Sequence, residues 1–344
     1  AAGTDGPDAA SYALALASAA EQCGAPDAVV ALWPVERPAS IPDYRELLAF
    51  VQGLAAANLP KVRVVLAAVC RTPLERAYVD SWIAVTSSLK RLLPHHLQIV
   101  GIVADDALRA DPSLALRETF LRTLAELDDA QGACAFFDGG VRHVRRMVPT
   151  ARTAGAPVLR EGATYLVTGG LGAIGQHVAE RLVHGHRANL LLLGRSPRDA
   201  ATQARIESWQ EQGSRVRHLR VDVADAEALR TALDAHIAEY GPIAGVFHVA
   251  GISAERSVFE ATNADFERVL APKVAGTLAL EYALAGRTLD FFCYFSSSSA
   301  VLGDFGPCAY ALANRFQMAY ARHAEALPSG RRIAINWPLW KDGA

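Results

Sequence analysis

The sequence predicts an α/β fold of two doubly wound parallel sheets, the first of them truncated. Three observations predict it. The 344 residues exceed one average domain and fit two. Apolar runs of strand length alternate with longer helical stretches along both halves, the βαβ rhythm of a parallel sheet. One glycine-rich loop sits between a strand and a helix, and it falls in the second half.

Composition narrows the class. Apolar residues make up 51% of the chain and charged residues 20%, enough to bury two cores. Mean hydropathy is +0.14, yet no apolar run approaches the roughly 18 residues a membrane helix needs. The opening AAGTDGPDAA has no basic or long apolar segment, so no signal peptide and a cytoplasmic location are expected. A net charge of −2 argues against a nucleic-acid partner. Cys23, Cys70, Cys134, Cys293 and Cys308 are scattered without a CxxC spacing, which predicts reduced thiols. The pairs His95-His96 and His184/His186 have no accompanying cysteine or carboxylate cluster, so no metal site is expected.

The first ten residues or so read as a flexible lead-in. Strands are predicted at 28–33, 62–69, 97–103 and 133–137, with helices at 41–57, 74–92 and 113–127. No glycine loop follows any of these strands, and no nucleophile–base pair is found. This half reads as a scaffold. The stretch 150–162 (TARTAGAPVLREG) is rich in Gly, Ala and Pro and lacks periodicity. It sets the expected division into a structural subdomain, 1–155, and a catalytic one, 156–344.

The rhythm then restarts. Strands are predicted at 164–168, 189–193, 216–221, 245–249, 291–295 and 332–336. Helices are predicted at 173–184, 199–211, 225–239, 263–284 and 309–326.

The loop itself runs Thr168-Gly169-Gly170-Leu171-Gly172-Ala173-Ile174-Gly175. Glycines 169, 172 and 175 have the spacing GxxGxxG. The first permits a tight turn, the second lets backbone approach a pyrophosphate, and the third packs helix against sheet. The helix N-terminus then offers free N–H groups and a positive dipole end to phosphates. This is the fingerprint of a Rossmann-like dinucleotide site, and both halves share the Rossmann-like rhythm although only the second has the loop.

The end of the second strand selects the cofactor. A carboxylate there would hold a ribose 2′-OH; this chain has Leu193-Gly194-Arg195-Ser196. Arginine and a hydroxyl suit the 2′-phosphate of NADPH. Arg198 either assists or is a solvated loop charge. Asp222-Val223 closes the third strand, where Asp222 either meets the adenine amino group or caps the helix beginning near Asp225.

Four further groups suit carbonyl reduction. Ser297 ends a strand within Phe295-Ser296-Ser297-Ser298-Ser299, and Tyr310 follows it by thirteen residues. Asn314 lies one helical turn beyond Tyr310, on the same face. Lys273 sits in Ala271-Pro272-Lys273-Val274-Ala275-Gly276-Thr277. Hydride from a nicotinamide leaves a developing alkoxide that needs a proton. A tyrosine gives one if an ammonium lowers its pKa from about 10. A serine hydroxyl orients the carbonyl, and an asparagine amide positions a lysine or a relay water. Each residue alone has an ordinary reading, as a helix tyrosine, a solvated lysine, a strand-end serine or a surface amide. Their joint occurrence after a dinucleotide loop removes those readings.

The motifs TGGLGAIG, LLLLGRS, VDVAD, VFHVAG, LAPKVAGT, FSSSSAVLGDFG and YALAN, ending in INWPLW, run nearly continuously over 164–340. This half resembles the short-chain dehydrogenases, and specifically the ketoreductase domains of modular polyketide synthases. Most short-chain dehydrogenases place lysine four residues after the tyrosine. Here Asn314 stands there and the lysine comes earlier, as Lys273, a mark of the polyketide and animal fatty-acid synthase ketoreductases. The resemblance implies Tyr310 as proton donor, Ser297 as carbonyl-orienting hydroxyl, and Lys273 with Asn314 as the supporting pair. It implies that His248-Val249-Ala250-Gly251 packs beside the cofactor and that the first half is a truncated structural subdomain. It implies NADPH as cofactor and, as substrate, a β-ketoacyl thioester on the phosphopantetheine arm of an acyl carrier protein. The β-hydroxyacyl thioester is the implied product. Neighbouring synthase domains are the implied partners, and the excised domain is expected to be monomeric. The FSSSSA…GDFG…YA.AN and INWPLW runs look most like synthases served by separate acyltransferases.

Two departures from the family bear on stereochemistry. Ketoreductases that form the D-hydroxyl often carry Leu-Asp-Asp where this chain has Ser253, Ala254 and Glu255. The opposite class often shows tryptophan where this chain has Leu302. The configuration of the alcohol is left open. The chain ends shortly after Trp340, so the lid helix and final strand that usually follow are expected to be absent or barely begun. The competing reading is an inactive or epimerising scaffold of a synthase module. A sugar-nucleotide epimerase is disfavoured by Asn314, which stands where such enzymes keep lysine.

Overall fold

The computed structural model describes residues 7–90, 92–129, 132–151, 158–324 and 330–340. Two sheets are present. The first is served by α1 (Ala9–Cys23), β1 (Ala28–Ala31), α2 (Trp33–Glu36), a 3₁₀ turn (Pro38–Ser40), α3 (Tyr44–Ala56), β2 (Arg63–Cys70) and α4 (Pro73–Leu89). It continues through β3 (His96–Val103), α5 (Asp106–Ala110), α6 (Pro112–Leu127), β4 (Ala135–Asp138) and β5 (Val141–Val144). Strand order is β1-β2-β3-β4-β5, parallel from β1 to β4, with β5 antiparallel on the edge.

The second sheet is built from β6 (Thr164–Thr168), α7 (Ala173–His186), β7 (Asn189–Gly194), α8 (Ala200–Glu211), β8 (Val216–Arg220), α9 (Ala226–Tyr240) and β9 (Gly245–His248). Then follow α10 (Asn263–Leu270), α11 (Ala275–Ala283), β10 (Phe291–Ser297), α12 (Ser299–Leu302), α13 (Cys308–His323) and β11 (Arg331–Trp337). Its order is β11-β10-β9-β6-β7-β8, all parallel. The order reverses between β6 and β9, and a crevice opens at the carboxyl ends of strands at such a reversal. The α/β fold with two sheets expected from the sequence is the fold observed.

Helix starts follow capping chemistry. Thr72 Oγ1 accepts from Glu75 N at 3.1 Å, Glu75 Oε2 accepts from Arg71 N at 2.6 Å, and Pro73 opens α4. Asp199 and Asp225 cap α8 and α9, each side chain accepting from the N–H three residues on. The core of the second sheet stacks Tyr165, Val167, Leu190, Leu192, Phe291 and Phe295 with Trp209, all buried.

Several expectations are corrected. The lead-in gives way to helix at Ala9, capped by Asp8, whose side chain accepts from Ser11 N at 2.8 Å; residues 1–6 lie outside the described set. This helix is held by close packing on α3, where Tyr12 meets Phe50 edge-on and Gly53 leaves room for the Tyr12 Cβ. The strand expected over 28–33 stops at Ala31 because Trp33-Pro34 opens α2. The single helix expected over 263–284 is two, α10 and α11, because Pro272 lacks the N–H an uninterrupted helix would need. Strand β5 was not expected. Residues 152–157 of the expected boundary, residue 91 of helix 74–92 and residues 325–326 of helix 309–326 lie outside the described set.

The chain packs as two compact units. One comprises Ala1–Pro149, Ala254–Glu267 and Ser299–Ala324; the other comprises Thr150–Ser253, Arg268–Ser298 and Glu325–Ala344. No described helix is long and apolar enough to cross a membrane.

Candidate functional site

In the second unit, β6 delivers the chain into the glycine loop. Gly169 has φ +65°, a conformation that favours glycine, and its N–H donates to Leu193 O at 2.7 Å. Gly172 N donates back to Gly169 O at 2.9 Å, closing the turn. A Cβ on Gly175 would stand 2.1 Å from Gly169 O, so only glycine lets α7 approach the turn this closely. A Cβ on Gly170 would meet Leu192 Cδ2 at 2.8 Å, which makes Gly170 a packing glycine. Gly172 is the N-cap of α7 and supplies no side-chain acceptor. The first-turn N–H groups are thereby left for an anion.

The loop borders a cavity of about 610 Å³, within the range of a cofactor cleft. Of the residues singled out in the sequence, Gly169, Leu171, Gly172, Ile174, Gly175, Arg195, Ser196, Asp222, Val223, Ala250 and Gly251 line it. Thr168, Gly170 and His248 do not. Thr168 and His248 form a layer behind the lining. The Thr168 hydroxyl lies 2.7 Å from His248 Nδ1 and accepts from Val249 N and Ala250 N at 3.1 and 3.2 Å. Burial, then the charge of Lys273, push the His248 pKa down to about 3, against a smaller opposing effect of the Pro272 carbonyl.

The two readings left open for Asp222 separate here. Asp225 caps α9, accepting from Ala228 N at 3.0 Å. Asp222 Oδ1 instead accepts from Ala224 N at 3.0 Å, and its other oxygen lies 3.7 Å from Arg195 Nη1. Both partners are about half exposed, so the pair is loose and Arg195 keeps donors to offer. Arg220 Nε donates to Arg195 O at 3.0 Å and fixes the backbone at this corner.

Lys273 sits in the break between α10 and α11. It is 4% exposed, and its Nζ donates to Phe295 O at 2.6 Å. Burial alone lowers its pKa to about 7. Its stem fits against Gly251, where a Cβ would stand 2.8 Å from Lys273 Cε. Ser297 ends β10, two residues beyond the Lys273 acceptor, in this same unit. Tyr310 and Asn314 belong to the first unit, on α13, where Asn314 is fully buried and its Nδ2 donates to Tyr310 O at 2.8 Å. The structure therefore presents the four residues as two pairs, each ordered by its own unit.

The cradle fits a dinucleotide. Backbone fills the space where Cβ atoms would stand at Gly169 and Gly175, a helix N-terminus opens on the cavity, and Arg195 and Ser196 line it. Sequence reasoning missed Arg268, Ala271 and Pro272, which also line the cavity. The Pro272 break was their available signal, since it turns the chain toward Lys273. Among the described residues no group of metal-ligating side chains converges.

Comparison with known proteins identifies the family. The family model described as KR domain matches residues 163–342. Polyketide synthase PksM of Bacillus subtilis is 37% identical over 96% of this chain, and polyketide synthase ThaG of Burkholderia thailandensis is 37% identical over 89%. The chain spans 8% and 6% of those two proteins. A solved structure of A-type ketoreductases from a modular polyketide synthase is 27% identical, covering 98% of this chain and 73% of that one, with a TM-score of 0.81. A ketoreductase domain from the bacillaene assembly line is 25% identical, covering 99% and 75%, with a TM-score of 0.73. With a nucleotide cradle, a buried lysine beside it and these likenesses, the chain belongs to the KR domain family, the ketoreductases of polyketide synthases.

Proposed function

We propose that this chain reduces the β-keto group of an acyl thioester carried by an acyl carrier protein, with NADPH as cofactor, in a synthase served by separate acyltransferases. The bound cofactor supplies the hydride. In this reading residues 156–344 carry the chemistry and residues 1–155 form a structural subdomain. Gly169, Gly172 and the first turn of α7 bind the pyrophosphate. Arg195 and Ser196 bind the 2′-phosphate, where a fork of donors outcompetes the loose Asp222 contact. Ser297 donates to the substrate carbonyl and orients it. Tyr310 gives the proton to the developing alkoxide. Lys273 and Asn314 support that transfer. Thr168 and His248 hold the backbone of Val249 and Ala250 at the cavity wall.

The observation that carries the reading is Lys273. A buried ammonium resting on a backbone carbonyl, against a glycine of a nucleotide-sized cavity, is costly to keep as structure alone. The test follows NADPH and NADH absorbance with a β-ketoacyl thioester mimic, comparing wild type with Tyr310→Phe. Turnover with NADPH that falls by roughly a hundredfold or more in the variant is expected. Absence of turnover despite NADPH binding would rule the reading out.

A further inference from the structure

Asp80 lies in the half of the chain where the sequence offered no chemistry, yet it is fully buried and ionically paired. It sits midway along α4 with 0% exposure. Its Oδ1 accepts from Arg315 Nε and Nη2 at 3.2 and 3.1 Å, and its backbone carbonyl accepts from Arg315 Nε at 2.8 Å. Its Oδ2 takes His323 Nε2 at 3.0 Å and also pairs with Arg145. Burial lowers the pKa of Arg315 to about 10, and burial followed by neighbouring arginines lowers Arg145 to about 9 and His323 to about 3. The carboxylate thus faces two guanidiniums and an imidazole.

Arg315 is the residue after Asn314 and shares the α13 turn that begins at Tyr310. Its remaining arm, Nη1, donates to Ala300 O in α12 at 2.9 Å. One guanidinium therefore ties α4, α12 and α13 together at the turn bearing two of the four candidate residues. Packing alone already joins these helices, since Phe316 meets Tyr78 at 4.8 Å between ring centroids. Burying an ion pair in such a contact adds little stability over an apolar pair and instead restricts which arrangements are allowed. A forked, multiply bonded guanidinium fixes rotation and axial position where apolar contact tolerates sliding.

We propose that Asp80 is a positioning residue, acting through Arg315 to fix the α13 turn that carries Tyr310 and Asn314. The inference rests on the reading above that those two residues serve reduction. Asp80→Asn removes the charge while keeping the shape, and Arg315→Lys keeps the charge while removing the fork.

Four quantities are read on the 344-residue chain. They are kcat and KM with NADPH and a β-ketoacyl thioester mimic, NADPH affinity by fluorescence, and amide exchange across 308–316. Both variants are expected to lose about tenfold or more in kcat, with KM and NADPH affinity within about twofold, and to exchange faster over 308–316 than over 164–186. A variant that binds NADPH normally but keeps kcat within about twofold overturns the proposal. If neither variant folds, Asp80 is a stability determinant and the proposal is also overturned. If wild type shows no turnover, the functional reading fails instead. The exchange arm then decides alone, where uniform or unchanged exchange rejects positioning.

Discussion

Lys273 donates to the carbonyl oxygen of Phe295 at 2.6 Å, which ties the break between α10 and α11 to the strand that ends in Ser297. That carbonyl is a neutral acceptor, so it compensates the ammonium only in part. This explains why burial dominates and lowers the lysine pKa from 10.5 to about 7. Between those values the unfolded chain binds the proton and the folded chain does not. Stability therefore rises with pH through the window, and the cost of the buried charge is fully present below about 7. Lys273→Met is expected to be more stable than wild type below pH 7, on the order of 3–5 kcal/mol, the gap closing toward pH 10.5. Urea unfolding across pH checks it, and a gap independent of pH would contradict the burial argument.

Gly175→Ala and Gly172→Ala should separate sharply. The added Cβ meets Gly169 O at 2.1 Å in the first case and at 3.3 Å in the second. The 175 variant must open the loop against backbone, and NADPH binding is expected to fall by about a hundredfold or more, with a loss of several kcal/mol of stability. The 172 variant should keep its melting temperature within a few degrees. Fluorescence titration and thermal melts decide, and equal melting losses in the two variants would refute the packing account.

Arg195→Ala is expected to raise the KM for NADPH by about 10- to 100-fold while leaving NADH turnover nearly unchanged, because a charge-assisted bond to the 2′-phosphate is worth about 1.5–3 kcal/mol. Parallel steady-state kinetics with both cofactors measure the ratio. An equal loss for both would mean that Arg195 shapes the loop and does not read the phosphate.

Thr168→Val removes the hydroxyl shared by His248 Nδ1, Val249 N and Ala250 N. The orphaned buried groups should cost about 1–3 kcal/mol, and Thr168→Ser should restore most of it. His248 adds a pH signature. Its folded pKa of about 3 lies below the usual 6.5, so stability falls as pH drops from 6.5 toward 3. His248→Gln should flatten that slope in acid titrations of unfolding, and an unaltered slope would remove His248 from the account.

Local features were the legible ones. The glycine loop, Arg195 and the Asp222 strand end each occupy a few consecutive residues, and a strand–loop–helix context fixes their geometry. Eleven of the fourteen cofactor candidates line the cavity, while Thr168, Gly170 and His248 support it from behind. Adjacency in sequence could not separate lining from support. The α10–α11 break was signalled by Pro272, but the apolar period that runs on through it favoured one continuous helix. Helix α1 was hidden because its alanine-rich sequence carries a weak face and depends on Tyr12 reaching Phe50. Asp80 and Arg315 stand 235 positions apart, so no local pattern links them.

The first compact unit is assembled from three separated stretches, its last being Ser299–Ala324. A ribosome releasing the chain from its N-terminus exposes α4, with Asp80, long before Arg315 exists. The groove that α13 will fill stays open through the synthesis of β6 to β10, with a carboxylate waiting unpaired by Arg315. Contacts closed over so long a loop form slowly. The nascent first half is therefore an unfinished body during elongation, and its completion coincides with delivery of Tyr310. Closing its fold and emplacing Tyr310 are one event.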